Sequence, residues 1–399
     1  MRVGAWHQMG DRSQRLVLEQ IQAGRGAGVV VSPRDLPLPN AIGYAEQYRD
    51  LGAELLLDLQ FYFPEFTNDR LDTYPPQRHR AAISQLANLS STSLQELSTD
   101  IATVSRDLHA TGVLAPALLY QAARPDISQS NARLFISARR AADDLGLPCY
   151  ATVFLARSAT SSDNTMFSAL SDATALSADG WYYGYEFPPE RIPSAKAETL
   201  RCAAAGLTLA CTGKPVFHAY AGPMAIVSPC FGASATGIGH FQNTWSFNPG
   251  RWKTASDQGG GGEAPPRFFS TTLWGTIVYP DEVFQLPQPL RTQILSISPY
   301  SANLSSPQPS PWSRWDANKH LVYAQVTALQ DLFAAATLDE ATGRSSAILS
   351  EAVSIHAQIA ATGLHLRDAT SSYQANWLGA LNDLHSQHDG DFQYLEMIS

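Results

Sequence analysis

The chain runs to 399 residues, with 27 basic against 36 acidic side chains and a formal charge of −9. That length fits two or three domains or one α/β barrel with additions, and the negative balance opposes tight, sequence-independent binding to nucleic acid. With 44% hydrophobic and only 16% charged residues the composition is globular. No run of about 18 apolar residues is available to span a membrane.

In chain order, eight short apolar runs read as strands: Val3–Gln8, Gly28–Ser32, Ala53–Gln60, Gly112–Tyr120, Pro148–Leu155, Gly180–Phe187, Lys214–Ala221 and Ala235–Gln242. Continuous runs such as Val29-Val30-Val31 and Leu55-Leu56-Leu57 are what parallel strands covered on both faces show. Amphipathic stretches fall between several of them. Asn40–Leu51 opens on Asn40 as N-cap and closes at Gly52. Ser93–Ala110 places Leu94, Leu97, Ile101, Val104 and Leu108 at helical intervals, and Asn131–Leu145 ends before Gly146. Ala195–Thr208 follows, its small-residue run Ala203–Gly206 suited to close packing on a sheet. This alternation predicts a (β/α)8 TIM-type barrel over residues 1–245. An open doubly wound sheet is the rival, but no G-x-G-x-x-G motif stands near the start of the chain.

Beyond residue 245 the texture changes. Residues 246–317 are rich in Gly and Pro and predict an irregular region packed on the barrel. Within it, the four glycines Gly259–Gly262 have too much backbone entropy to lose for a regular element, and predict a surface loop or lid. Residues 318–399 read as a C-terminal helical extension, with helices over Asn318–Ala336, Leu338–Thr362 and near Tyr373–His385. Thr337 and Glu340 have the spacing of a capping box. These helices would offer a surface to a protein partner. Cys149, Cys202, Cys211 and Cys230 form no C-x-x-C pair, and the N-terminus lacks a signal-peptide pattern, so reduced thiols and a cytoplasmic location are expected.

Barrels of this kind carry chemistry at the carboxyl ends of their strands. Asp58 closes a strongly apolar strand and must be solvated or hydrogen-bonded there. Glu186 sits among the aromatics of Trp181–Phe187, a setting that suits a general acid. Carboxylates on different strands are what glycosidic chemistry uses, which makes Asp58 and Glu186 the candidate catalytic pair. His218 and His240 end later strands as candidate acid–base or orienting groups. Arg34 and Arg157 are candidate clamps for an anionic group. Gln60, Tyr62, Tyr220, Gly237, Gly239 and Gln242 complete the candidate ligand-binding set, the glycines because small residues let a ligand approach the backbone.

The segment Lys214-Pro215-Val216-Phe217-His218-Ala219-Tyr220-Ala221-Gly222-Pro223 resembles the late barrel segment of tRNA-guanine transglycosylases. Leu56-Leu57-Asp58-Leu59-Gln60-Phe61 is similar to that family's strand bearing an Asp followed by Ser-Gly-Gly-Phe-Gln. The resemblance implies a barrel in which Asp58 sits where the family has an acid close to the base. The chain departs from the family in lacking those two glycines and the C-x-C-x-x-C zinc cluster. Thr236–Gln242 stands where the family's nucleophilic Asp falls.

The expected function is binding of a nucleoside- or sugar-type ligand and action on its glycosidic bond, with no cofactor or metal. Two other classes compete. One is a non-catalytic barrel serving as a subunit of a larger assembly. The other is a metal-dependent hydrolase built on His7, His218 and His240, although the chain has no H-x-H or H-E-x-x-H motif.

Overall fold

The structure is a computed structural model that describes residues 1–85, 90–187, 195–240, 244–252, 265–296, 298–301, 304, 311–367 and 371–398. Eight parallel strands are β1 (Gly4–Gln8), β2 (Gly28–Val31), β3 (Glu54–Leu57), β4 (Val113–Leu114), β5 (Cys149–Leu155), β6 (Gly180–Tyr185), β7 (Val216–His218) and β8 (Ala235–Gly239). They form one sheet in the order β3-β2-β1-β8-β7-β6-β5-β4, curled into a nearly closed TIM-type barrel. The remaining seam lies between β3 and β4. There Thr111 N donates to Leu55 O at 2.9 Å, and Leu55 N donates to Thr111 Oγ1 at 3.1 Å.

Helices α1 (Gln14–Gln22) and α2 (Leu38–Asp50) follow β1 and β2, and α3 (Arg80–Ser84) and α4 (Ser91–Asp107) lie between β3 and β4. After β4, β5 and β6 come α5 (Pro125–Leu145), α6 (Asp163–Thr174) and α7 (Lys196–Ala210). Two helices begin earlier than their sequence patterns suggest, both at prolines. Pro37 caps α2 ahead of Asn40, and Pro125 opens α5 ahead of Asn131, because a first-turn residue has no helical partner for its amide to lose. Between β7 and β8 the chain makes only a 3-10 stretch, Gly222–Phe231, which is buried throughout. Pro229 inside it removes an amide donor that an α-helix would require.

The region expected to be irregular contains an antiparallel hairpin, β9 (Arg267–Ser270) and β10 (Gly275–Val278), with Phe269 opposite Thr276. Short helices α8 (Asp281–Gln285) and α9 (Gln288–Ile294) follow. Phe268, Ile277, Ile294, Trp312 and Ile355 give this region a small core of its own. The C-terminal part comprises α10 (Arg314–Phe333), α11 (Leu338–Ala361), α12 (Ser371–Gln387) and α13 (Asp389–Ile398). It belongs to the barrel wall. Helix α10 packs on β1, α1 and the 3-10 stretch, α11 on that stretch and on α12, and α12 on α7. Its apolar faces are divided between the barrel and the hairpin region, where Ala317, Ile355 and Ile359 join the second core. At the start of α11, Thr337 Oγ1 accepts from Glu340 N at 3.1 Å, while Glu340 Oε2 accepts from Ala336 N at 2.7 Å, one residue earlier than a capping box would have it.

Along each strand, alternate side chains face opposite ways. Trp6, Val30, Leu56, Leu114, Tyr150, Phe154, Tyr182 and Phe217 fill the interior. Ala5, Val29, Val31, Leu57, Val153, Tyr183, Val216 and Ile238 pack outward under the helices. Interior rings of this size need glycine beside them. A Cβ on Gly184 would lie 2.6 Å from the Phe154 ring, and one on Gly28 would lie 2.6 Å from the Trp6 ring. No helix among the described residues is long and apolar enough to cross a membrane.

Candidate functional site

Asp58 continues the β3 ladder by one residue, its amide donating to Val31 O at 3.0 Å. Two positions on from the inward-facing Leu56, its side chain enters the carboxyl-end mouth of the barrel. Four donors meet it there. Tyr62 OH and Gln60 N donate to Oδ1 at 2.8 and 3.1 Å, and Tyr220 OH and Tyr182 OH donate to Oδ2 at 3.0 and 3.2 Å. Tyr182 divides its proton between Asp58 and Gln8 Oε1, 3.3 Å away. Only 3% of Asp58 is exposed. Burial pushes its carboxyl up to about 6, against the pull of the Tyr62, Tyr220, Gln60 and Tyr182 hydrogen bonds toward the ionised form. Burial, and then the charge of Asp58, holds Tyr62 and Tyr182 well above the ordinary phenol range, so both remain donors.

The backbone around this carboxyl is strained. Gln60 and Tyr220 both adopt left-handed conformations, with φ of 57° and 50°. For residues other than glycine this costs about 1–2 kcal/mol each. The two strained residues hold one another, Gln60 Nε2 donating to Tyr220 OH at 2.8 Å and to Ser32 Oγ at 3.2 Å. Such strain persists only where the surroundings over-determine it, and it concentrates at functional sites. The cluster also has spare hydrogen-bonding capacity: Gln8 Nε2 and Gln60 Oε1 are buried with no partner among the described residues. One is a donor and the other an acceptor.

Aromatic rings cover the cluster. Tyr62 packs on Phe154 with centroids 4.4 Å apart, and Phe247 packs on Phe154 at 4.7 Å and on Trp252 at 5.0 Å. The segment bearing Phe247 is tied down by Phe187 N donating to Phe247 O at 2.9 Å and by Trp245 Nε1 donating to Gly239 O at 3.0 Å.

Of the residues expected from sequence, Asp58, Gln60, Tyr62 and Tyr220 come together. Others do not join them. Glu186 is half-buried beyond β6, and its Oε2 accepts from Arg157 N at 3.1 Å. The Arg157 side chain is exposed and faces Glu198 at 3.8 Å, and Arg34 pairs with Asp35 at 2.9 Å. Gly237 and Gly239 make room for the chain's own atoms. A Cβ on Gly237 would lie 3.1 Å from Gln8 Oε1, and one on Gly239 would lie 2.3 Å from Thr244 Oγ1. Gln242 and Gly259–Gly262 lie outside the described residues.

The histidines are the clearest correction. His7 shares the outward face of β1 with Ala5, His218 that of β7 with Val216, and His240 that of β8 with Ile238. His218 Nδ1 lies 2.7 Å from Ser228 Oγ, and its ring stacks near Tyr183 and Tyr185. His7 Nε2 lies 2.8 Å from Arg25 O, so it must carry the proton. Its Nδ1 then accepts from His240 Nε2 at 3.0 Å. Burial lowers His7 to about 4, His218 to about 3, and His240 well below the usual imidazole range, so all three are neutral at pH 7. Among the described residues no three His, Cys, Asp or Glu side chains stand close enough to hold a metal ion. The His7, His218, His240 constellation is therefore not assembled.

Sequence reasoning passed over Tyr182 as a site residue. A signal was available in Gly180-x-Tyr182-x-Gly184, an alternation that leaves Tyr182 the one large side chain on that strand's inner face. A cavity of about 410 Å³ opens at the opposite end of the barrel, lined by Val3, Ser234, Leu332, Thr337, Ala341 and their neighbours, with no charged side chain. That end of a barrel serves stability, so the Asp58 cluster at the carboxyl end is the candidate site. Set against protein-family models and against characterised proteins, the sequence matches none of them.

Proposed function

We propose that this barrel binds a nucleoside- or sugar-type ligand at its carboxyl end and acts on a glycosidic bond there, with Asp58 as the working carboxyl. The observation that carries the reading is a buried carboxyl, raised to about 6, ringed by two strained residues and flanked by one spare donor and one spare acceptor. A carboxyl near neutrality can both hold and release a proton at physiological pH, which proton management at a leaving group requires. Tyr62, Tyr182 and Tyr220 hold the carboxyl in place, and Gln8 and Gln60 meet polar groups of the ligand. Entry requires the Phe247–Trp252 segment to lift, and its rings then offer stacking surfaces to a sugar or a planar base. The four free cysteines support a reducing compartment such as the cytoplasm.

The test is thermal stability against a panel of nucleosides, nucleotides, bases and sugars, for the natural chain and Asp58→Asn, with chromatography of any hit for bond cleavage. A ligand that stabilises the natural chain, is cleaved by it, and is not cleaved by a folded Asp58→Asn chain supports the proposal. Cleavage that survives in Asp58→Asn overturns it. One observation favours the second reading, a non-catalytic barrel: the aromatic cover leaves the carboxyl 3% exposed and fully hydrogen-bonded. No stabilising ligand across the panel would favour that reading.

A further inference from the structure

Asp58, Gln60 and Tyr62 reach the barrel mouth on a loop that has no regular hydrogen bonding of its own, yet its carbonyls are systematically engaged from outside. Arg80 Nη1 donates to Gln60 O at 3.4 Å, Nη2 to Phe63 O at 2.6 Å, and Nε to Pro64 O at 3.2 Å. Gln77 Nε2 donates to Leu59 O at 2.8 Å, and Gln77 Oε1 in turn accepts from Arg80 Nη1 at 2.6 Å. The guanidinium also lies over the Phe61 ring at 5.3 Å. Every residue from Leu59 to Pro64 except Tyr62, the one that turns in to meet Asp58, is thus touched by this pair.

Arg80 is 7% exposed, and among the described residues it forms no ion pair; its hydrogen-bond partners are neutral oxygens. Burying a cation without a carboxylate partner is costly, and a stable loop could be had from an apolar side chain of similar volume. What an apolar residue could not do is hold three carbonyls in one plane at fixed spacing, which the rigid fork of a guanidinium does. The carbonyl of the strained Gln60 is one of the three.

We propose that Arg80, backed by Gln77, is a positioning residue for the Asp58 site, a clamp whose hydrogen bonds to loop carbonyls hold Gln60 left-handed and keep Asp58 and Tyr62 in register with Tyr182 and Tyr220. The inference rests on the reading of Asp58 as the working carboxyl. Arg80 acts through the loop: its hydrogen bonds go to the carbonyls of Gln60, Phe63 and Pro64, and the leading influences on Asp58 are burial and its own hydrogen-bond donors. The titratable groups facing Asp58 are Tyr62, Tyr182 and Tyr220, and Glu65 and Asp72 are the acids near Arg80.

The experiment follows the carboxyl carbon of Asp58 by NMR through a pH titration, its resonance assigned by its loss in Asp58→Asn. It is run on the natural chain, Arg80→Met, Arg80→Lys and Gln77→Leu. A loosened loop admits water and relieves the desolvation of the carboxyl, so the Arg80→Met midpoint is expected to fall from about 6 by about one pH unit or more. Arg80→Lys, which lacks the fork, is expected to fall between. Leu329→Ala in the outer wall is the control for loss of stability alone and should leave the midpoint in place. Gln77→Leu removes one loop contact and keeps the test open if Arg80→Met does not fold. Unchanged midpoints in folded Arg80→Met or Gln77→Leu overturn the clamp. A natural-chain midpoint near 4 instead overturns the reading of the site itself, and the clamp with it.

Discussion

Replacing Asp58 by Asn removes a pH dependence rather than a fixed amount of stability. Burial moves the carboxyl from its ordinary 3.8 to about 6. Between those values the folded chain keeps a proton that the unfolded chain has released. Stability linked to this group is therefore greatest below pH 3.8, falls as pH rises toward 6, and is level above that. At ~1.4 kcal/mol per pH unit the whole span is ~3 kcal/mol, of which roughly 1.4 kcal/mol falls between about pH 5 and pH 7.5. The buried histidines act in the opposite direction, but they are common to both chains and cancel in the difference. Exchanging a carboxyl oxygen for an amide nitrogen also alters the hydrogen bonds from the tyrosines, by an amount that does not vary with pH. Urea unfolding of the natural chain and of Asp58→Asn at several pH values measures the slope directly. The variant should gain on the natural chain by about 1.4 kcal/mol over that interval. Parallel stability curves would refute a desolvated carboxyl at this position.

Tyr220→Phe removes one donor that favours the ionised form, so the Asp58 midpoint should rise above about 6 in the same NMR titration; a fall would show that the hydroxyl does not serve the carboxylate. His7 and His218 lie at about 4 and about 3, below their ordinary 6.5, so the folded chain binds fewer protons than the unfolded one. Their contribution is complete above pH 6.5 and lost as pH falls toward those values. His218→Phe should flatten the acid limb of the stability curve measured by urea unfolding, and an unaltered limb counts against a buried neutral ring. Gly222 has φ of 48°, and a Cβ there would lie 2.1 Å from Trp245 O. Gly222→Ala should therefore lose about 1–3 kcal/mol and loosen the Phe247 cover, with denaturant midpoint and Trp fluorescence as the readouts.

The barrel was legible because parallel strands buried on both sides are continuous apolar runs, and eight of these stand at βα spacing. The same property hid the orientation of the histidines. In a strand such as Val216-Phe217-His218, apolar neighbours occupy both faces, so alternation cannot say which face looks inward until one residue is placed. Asp58 was found from its position at a strand end, and Gln60, Tyr62 and Tyr220 came with it. Arg80 and Gln77 were not legible at all. Their partners are backbone carbonyls of a loop whose path is set by tertiary packing, and no side-chain pattern in Pro75–Arg80 records it. The β9–β10 hairpin was missed for another reason: its strands carry only the apolar pairs Phe268-Phe269 and Ile277-Val278, too short to stand out in a region rich in glycine and proline.

Strand β8 ends at Gly239, yet the outer face of β1 and the buried 222–231 stretch are not covered until α10 is in place, ending at Phe333. During synthesis, an almost complete sheet must wait for a long intervening segment to emerge before its last apolar wall can close. Contacts this distant in sequence slow folding and leave sticky surface exposed meanwhile. A ribosome-bound chain stopped near residue 245 would hold every strand of the barrel and still lack the α10 wall over β1 and the 222–231 stretch. Cutting the gene at that apparent boundary would bare the apolar surface that α10 covers, so expression of this protein in parts has to keep the first strand and the last helices together.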